Sequence, residues 1–201
     1  MPMIRETIVT TAGPAGLVHM APLGLIADGE GWIIAPFRPS KTLDNLRAMP
    51  FAVANYTDDV RIFAGCLTGR HEWPTVASDE VPVRRLAGAL AHAELAVDRV
   101  TEDEERPRFH CRVLRLATHA PFLGFNRAQA AVIEAAILVS RLEMLPRDKI
   151  EKEVAYLQIA VGKTAGPAER QAWQWLMERI AARYSGPAPA AGDRKGRPHW
   201  R

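Results

Sequence analysis

Ile4-Arg5-Glu6-Thr7-Ile8-Val9-Thr10-Thr11, then Gly13-Pro14-Ala15-Gly16, Leu17 to Ile26, Asp28-Gly29-Glu30-Gly31 and Trp32 to Ala35 follow one another almost without spacers. β-branched residues and loose alternation over 4–11 predict a strand, and the glycine-rich pairs mark tight turns. Three short strands on tight turns predict a meander. No long crossover fits between strands before residue 126, so an antiparallel barrel is expected.

Downstream, Ser40 is expected to cap a short helix from Lys41 to Met49, which Pro50 ends. Phe51 to Tyr56 reads as a fourth strand. Thr57-Asp58-Asp59 reads as a helix cap or turn leading into Val60 to Leu67. Trp73-Pro74 and Ser78 to Pro82 read as an irregular loop. Gly88 to Val100 and Phe109 to Ala117 predict two more strands, joined by the acidic turn Glu102-Asp103-Glu104-Glu105, a solvated tip.

From Asn126 the period becomes helical. Ala128 to Leu145 is apolar nearly all round, with Arg127, Glu134 and Arg141 as its one polar stripe, so a buried helix is expected there, broken by Pro146. Ile150, Val154, Leu157 and Val161 define a second face. After Gly166-Pro167, Trp173, Leu176, Met177, Ile180 and Tyr184 define a third. Six or seven strands followed by three helices make an α+β chain: an antiparallel barrel with short inserted helices, then a C-terminal three-helix segment. The stretch 185–201 is rich in proline, alanine, glycine and charge and reads as a disordered basic tail.

Composition narrows the function classes. The 201 residues are 48% hydrophobic and 24% charged, with net charge +3, an ordinary globular balance. No apolar run is long enough for a membrane helix, and the first residues lack a signal-peptide pattern, so a cytoplasmic location without membrane contact is expected. Cys66 and Cys111 fit reduced thiols better than a disulfide framework. His71, His92, His110 and His119 lack metal-ligand spacing, so no metal is expected. Exposed aromatics interleaved with lysine or arginine are missing, which argues against nucleic acid. No repeat, dinucleotide-binding or P-loop glycine pattern occurs.

Ala35-Pro36-Phe37-Arg38-Pro39-Ser40-Lys41-Thr42-Leu43-Asp44-Asn45-Leu46 carries the strongest chemical signal. Two cations and two hydroxyls stand where a strand hands over to a helix, whose first N–H groups favour an anion. Arg38 can fork onto a phosphate and Ser40 and Thr42 can donate to one. The competing reading is a plain Ser40 cap with a solvated Arg38. In His19-Met20-Ala21-Pro22-Leu23-Gly24, proline suits an unpaired edge, and Ala21 and Gly24 leave room for a flat ligand or simply form a barrel edge.

These segments, with Asn55-Tyr56-Thr57-Asp58-Asp59-Val60-Arg61, Phe63 to Gly69, Gly124 to Ala135 and Lys163 to Pro167, together resemble the DUF447 family of the FMN-binding split-barrel group, similar to flavin reductases and pyridoxamine-phosphate oxidases. The resemblance spans roughly residues 3–184. It implies an FMN-binding barrel over 1–122, a helical domain over 123–184 packed on it, and a homodimer with FMN near the interface. It further implies flavin-ring contacts from His19, Ala21, Pro22 and Leu23 and phosphate contacts from Arg38, Ser40, Thr42 and Asn45. Asn55 and Thr57 rank second. Asn126 and Arg127 are expected to reach the flavin from either subunit, or Arg127 to pair with Glu134 or a partner's carboxylate. The activity implied is oxidoreduction of a small molecule with a nicotinamide or pterin-like donor; the alternative is a flavin carrier or sensor without turnover. His19 is the first choice for moving a proton. Cys66 and Trp73 are read as packing residues, with a thiol beside the flavin and a lid as their respective alternatives.

Overall fold

The computed structural model describes residues 2–185. Strands β1 (Ile4–Ala12), β2 (Val18–Asp28) and β3 (Gly31–Ile34) form the expected meander, followed by helix α1 (Lys41–Ala48), β4 (Phe51–Tyr56) and helix α2 (Val60–Leu67). Two-residue strands β5 (Thr75–Val76) and β6 (Arg85–Leu86) lie within the segment 74–90, and long β7 (Ala91–Thr101) and β8 (Arg108–Thr118) complete the sheet. Helices α3 (Arg127–Ser140), α4 (Arg147–Thr164) and α5 (Pro167–Ser185) end the described chain. The barrel closes in the order β1-β2-β3-β8-β7-β4, every pair antiparallel.

The register explains what fills it. Cross-strand partners share a face, so the pairings Arg5↔Leu25, Val9↔Ala21, Thr11↔His19 and Val9↔Ala54 line one side. Val9, Leu25, Ile34, Ala52, Ala54, Leu95 and Phe109 form the barrel core, and α1 drives Leu43 and Leu46 into it. Asn45 of α1 donates to Thr11 Oγ1 (3.0 Å), which seats this helix over the end of the barrel where β1 finishes. Gly31 is needed for close approach, because a Cβ there would come within 2.2 Å of the Cys111 carbonyl oxygen.

The opposite face of β1, β2 and β4 is covered. Ile8 and Met20 pack with Ile62 and Phe63 of α2 and with Leu86 and Ala89. The segment 74–90 is held to the barrel by two buried side chains. Asn55 Oδ1 accepts from Leu86 N–H (2.8 Å), and Glu94 accepts from Asp79, Glu80 and Val81 N–H at 2.9, 2.7 and 2.9 Å. On the far side, α2 joins α3, α4 and α5 in a second core that includes Val60, Ala64, Val132, Ala135, Ile150, Trp173 and Leu176.

Several expectations need correction. Val60–Leu67, left open behind a helix cap or turn, is a helix, and Asp59 caps it by accepting from Arg61 N–H (3.1 Å). The supposedly irregular loop contains the β5–β6 ladder, too short to leave a periodic signal. Helix α3 stops at Ser140, ahead of Leu145, because Leu142 and Leu145 reach the helical core from the turns that follow. Pro146 does not break α3; it stands at the N-cap position of α4. Ser185 belongs to α5, and 186–201, the rest of the expected basic tail, lies outside the described residues. Among the described residues no helix is long and apolar enough to cross a membrane.

Candidate functional site

Strand β2 is paired unequally. It matches β1 along Val18–Ile26 but meets β3 only over Ile26–Asp28. The half that carries His19, Ala21, Pro22 and Leu23, all half-buried, therefore has a strand on one side only. Proline, which lacks a ladder donor, belongs in such a half. The small residue at 24 has a different cause: a Cβ there would meet Ile4 Cγ2 at 2.7 Å and Glu6 Oε1 at 3.2 Å, so the room above Gly24 is taken by β1 side chains.

Beside this edge lies the start of α1. Ser40 Oγ accepts from Leu43 N–H (3.3 Å), and helix geometry leaves the Lys41 and Thr42 N–H groups without intrahelical acceptors. Thr42 and Asn45 are buried and Lys41 is exposed. Burial pushes the His19 imidazole below its ordinary value, and the fields of His71 and Lys41 push it further the same way. Three cationic or protonatable groups thus converge from β2, α1 and the loop after α2, and none forms an ion pair among the described residues. An anion would relieve this field. Lys41 and His71 were not among the expected site residues. Lys41 directly after a capping serine was a usable signal, whereas the approach of His71 is purely tertiary.

Because Ser40 bonds Leu43 N–H, Ser40→Ala is expected to destabilise the protein by about 1 kcal/mol, measured by urea denaturation.

Arg38 faces elsewhere. Its Nη2 meets Glu102 Oε2 at 2.5 Å and its Nε donates to the Asp103 carbonyl at 3.1 Å, while Arg47 bonds the same Glu102 at 2.9 Å. The acidic tip is therefore clasped by two arginines. Asn55 is fully buried, and its amide donates to Ile8 and Val53 carbonyls (2.9 and 3.2 Å) while its oxygen holds Leu86, so its polar atoms are engaged inside the protein.

Thr57 and Asn126 lie together at the other barrel mouth. A cavity of about 770 Å³ opens there between Arg5, Trp32, Tyr56, Leu116 and Phe122 of the barrel part and Phe125 and Ile133 of the helical half. Thr57 Oγ1 accepts from Asp59 N–H (3.1 Å). Asn126 caps α3 through Ala128 N–H (2.8 Å) and donates to the Thr164 carbonyl (3.1 Å). Arg127 is exposed and does not pair with Glu134. Trp73 packs on Gly65 and donates to the Arg70 carbonyl (3.1 Å), as a packing residue would. Burial pushes the Cys66 thiol up to about 11 and that of Cys111 to about 12, so both are poor nucleophiles. Among the described residues no cluster of three or more His, Cys, Asp or Glu could hold a metal ion.

Comparison with known proteins agrees with the architecture. An FMN-bound protein of Methanosarcina mazei superposes with a TM-score of 0.78 at 20% identity, over 89% of this chain and 96% of that one. The 2-nitrobenzoate 2-nitroreductase of Pseudomonas fluorescens superposes at 0.50 and 17% identity, over 59% of this chain and 66% of its own. Both likenesses are of fold. Family models described as "Protein of unknown function (DUF447)" match residues 5–120, as the N-terminal domain, and 126–178. The two matches span most of the barrel and the helices behind it, and the chain belongs to the DUF447 family.

Proposed function

We propose that the chain is an FMN-binding flavoprotein, an oxidoreductase acting on a small molecule with a nicotinamide or pterin-like donor. The observation that carries this reading is the singly paired half of β2 lying beside Lys41, two imidazoles and a helix N-terminus, none of them in an ion pair among the described residues. An extended edge with free backbone groups suits a flat heterocycle, and the cationic corner suits a phosphate. The FMN bound by the Methanosarcina protein of like fold supports it.

In this reading Lys41, His71, Ser40, Thr42 and the α1 N–H groups hold the phosphate, and Ala21, Pro22 and Leu23 border the ring. FMN, when bound, supplies the electron-transfer chemistry. His19, whose imidazole is depressed in the free protein by burial, His71 and Lys41, is positioned to exchange a proton at a ring nitrogen. Arg38 turns from Glu102 toward the phosphate. Asn45 orients Thr11 on the barrel rim. The barrel, residues 1–122, carries the flavin, and the helical part, 123–184, packs on it at a homodimer interface. Leu116, Phe122, Leu123 and Phe125, between 55% and 100% exposed, form an apolar rim that a second copy would cover.

The test is direct. Purified protein is expected to be yellow, to release FMN on denaturation, and to bleach with NADH or NADPH under anaerobic conditions. Colourless protein that also fails to take up added FMN would overturn the reading; flavin retained without bleaching by any donor would favour a carrier. Arg38→Ala is expected to weaken FMN retention about ten-fold, the scale of a lost charge-assisted bond. Its exposed ion pair with Glu102 contributes little to folding, so the melting temperature should stay close to that of the parent. Unchanged retention would remove Arg38 from the site.

A further inference from the structure

His92 on β7 is 1% exposed, and both of its ring nitrogens have partners. Nε2 lies 3.1 Å from Glu94 Oε1, and Nδ1 lies 2.8 Å from Nε2 of His119, which follows β8. The two rings are nearly parallel, 10° apart with centroids 5.0 Å from one another. Burial opposes ionisation of Glu94, but three backbone N–H groups and His92 outweigh it and hold the carboxyl below its ordinary range. An ionised Glu94 only accepts, so His92 carries its proton on Nε2 and offers a lone pair at Nδ1. His119 must then donate from Nε2, leaving its own Nδ1 free to take up a proton.

We propose that His92 and His119 hold one proton between them and reject a second, so that acid parts the two rings and loosens residues 118–122 at the wall of the mouth cavity.

With one added proton on either ring, the 2.8 Å contact still has a donor and an acceptor and gains charge assistance. With two, both facing nitrogens carry hydrogen and both rings are cationic, so the contact cannot persist. The groups around His119 set the direction. Burial, Arg85 of β6 and His92 of β7 depress its protonation, and Asp79 of the 74–90 segment opposes them. Asp79 is itself tied to Arg115 of β8 at 2.9 Å. The open arrangement therefore binds the second proton more readily than the closed one, and it gains population only as that proton binds.

The consequence reaches the cavity through the backbone. His119 and Ala120 N–H both donate to the Leu90 carbonyl, at 2.7 and 3.1 Å. Leu90, Thr118, Ala120, Pro121 and Phe122 all line the mouth. Parting the rings frees the side chain that holds this crossing in place, so access to the cavity becomes acid-sensitive. The inference is independent of what the protein binds.

The test is amide hydrogen exchange at His119 and Ala120 between about pH 7.5 and 5.5, corrected for intrinsic rates, with an imidazole nitrogen NMR titration of the same protein. Protection at both amides is expected to fall roughly ten-fold per pH unit once the second proton binds, and the two rings to titrate in coupled, separated steps. His119→Gln, at an exposed position, is expected to fold normally and to abolish the acid response. Protection unchanged across the range, independent single-step titration of the rings, or an acid response that survives in His119→Gln would each overturn the proposal.

Discussion

Glu94→Ala is expected to cost about 3–5 kcal/mol of folding stability, roughly 10 °C in melting temperature. The carboxylate is completely buried and accepts four hydrogen bonds, from Asp79, Glu80 and Val81 N–H and from His92 Nε2. Removing it leaves three backbone donors and an imidazole facing an apolar void, and orphaned buried donors are costlier than the bonds they lose. Glu94→Gln keeps one acceptor oxygen and is expected to lose about half as much. The pH dependence separates this mechanism from simple cavity formation. The folded carboxyl ionises below its ordinary value of 4.5, so its contribution is fully present above that value and disappears as pH falls through the depressed one. Parent and Glu94→Ala curves, measured by urea denaturation, should converge in strong acid. A gap that stays constant with pH would mean that the loss is only of packing.

Lys41→Glu is expected to weaken FMN binding at least about a hundred-fold, the consequence of replacing attraction to a phosphate by repulsion at short range. Lys41 is exposed and unpaired among the described residues, so the same change should leave folding almost untouched. Isothermal titration of flavin-stripped protein with FMN and with riboflavin reads the effect: riboflavin, lacking the phosphate, should be indifferent to the substitution. The neighbouring imidazole adds a pH signature. His19 is depressed in the free protein by burial, His71 and Lys41, and a phosphate dianion beside it would raise it again. Binding then takes up a proton, and affinity should decline as pH rises above about 7, where the phosphate is already dianionic. His19→Gln should flatten that slope. Equal losses for FMN and riboflavin in Lys41→Glu would place the phosphate elsewhere.

Local signals carried much of the architecture. Phe51–Tyr56 is bounded by Pro50 and Thr57 and was readable to the residue, and Ser40 announced α1 because its hydroxyl does what a cap must do. The apolar run Val60–Leu67 had no period to separate helix from strand, and only Asp59 ahead of it hinted at the answer. Continuous hydrophobicity extended α3 too far, since Leu142 is buried and Leu145 half-buried without being helical. The candidate site draws on local sequence along 19–23 and 38–45. It was illegible where residues meet through the fold: His71 arrives from a loop, and His92, Glu94 and His119 connect only because the β4–β7–β8 register places them on the face beneath the 74–90 segment. Asn55, a second-ranked ligand candidate, holds that segment through Leu86 N–H.

The two sulfurs have a practical corollary. Both native thiols are shielded and protonated at neutral pH, and thiolate is the species that maleimides and iodoacetamides consume. A single cysteine introduced at Tyr156, 75% exposed on α4, would thus be the one fast-reacting handle on an otherwise unaltered background. Fluorophores or spin labels could be placed there without first deleting Cys66 or Cys111.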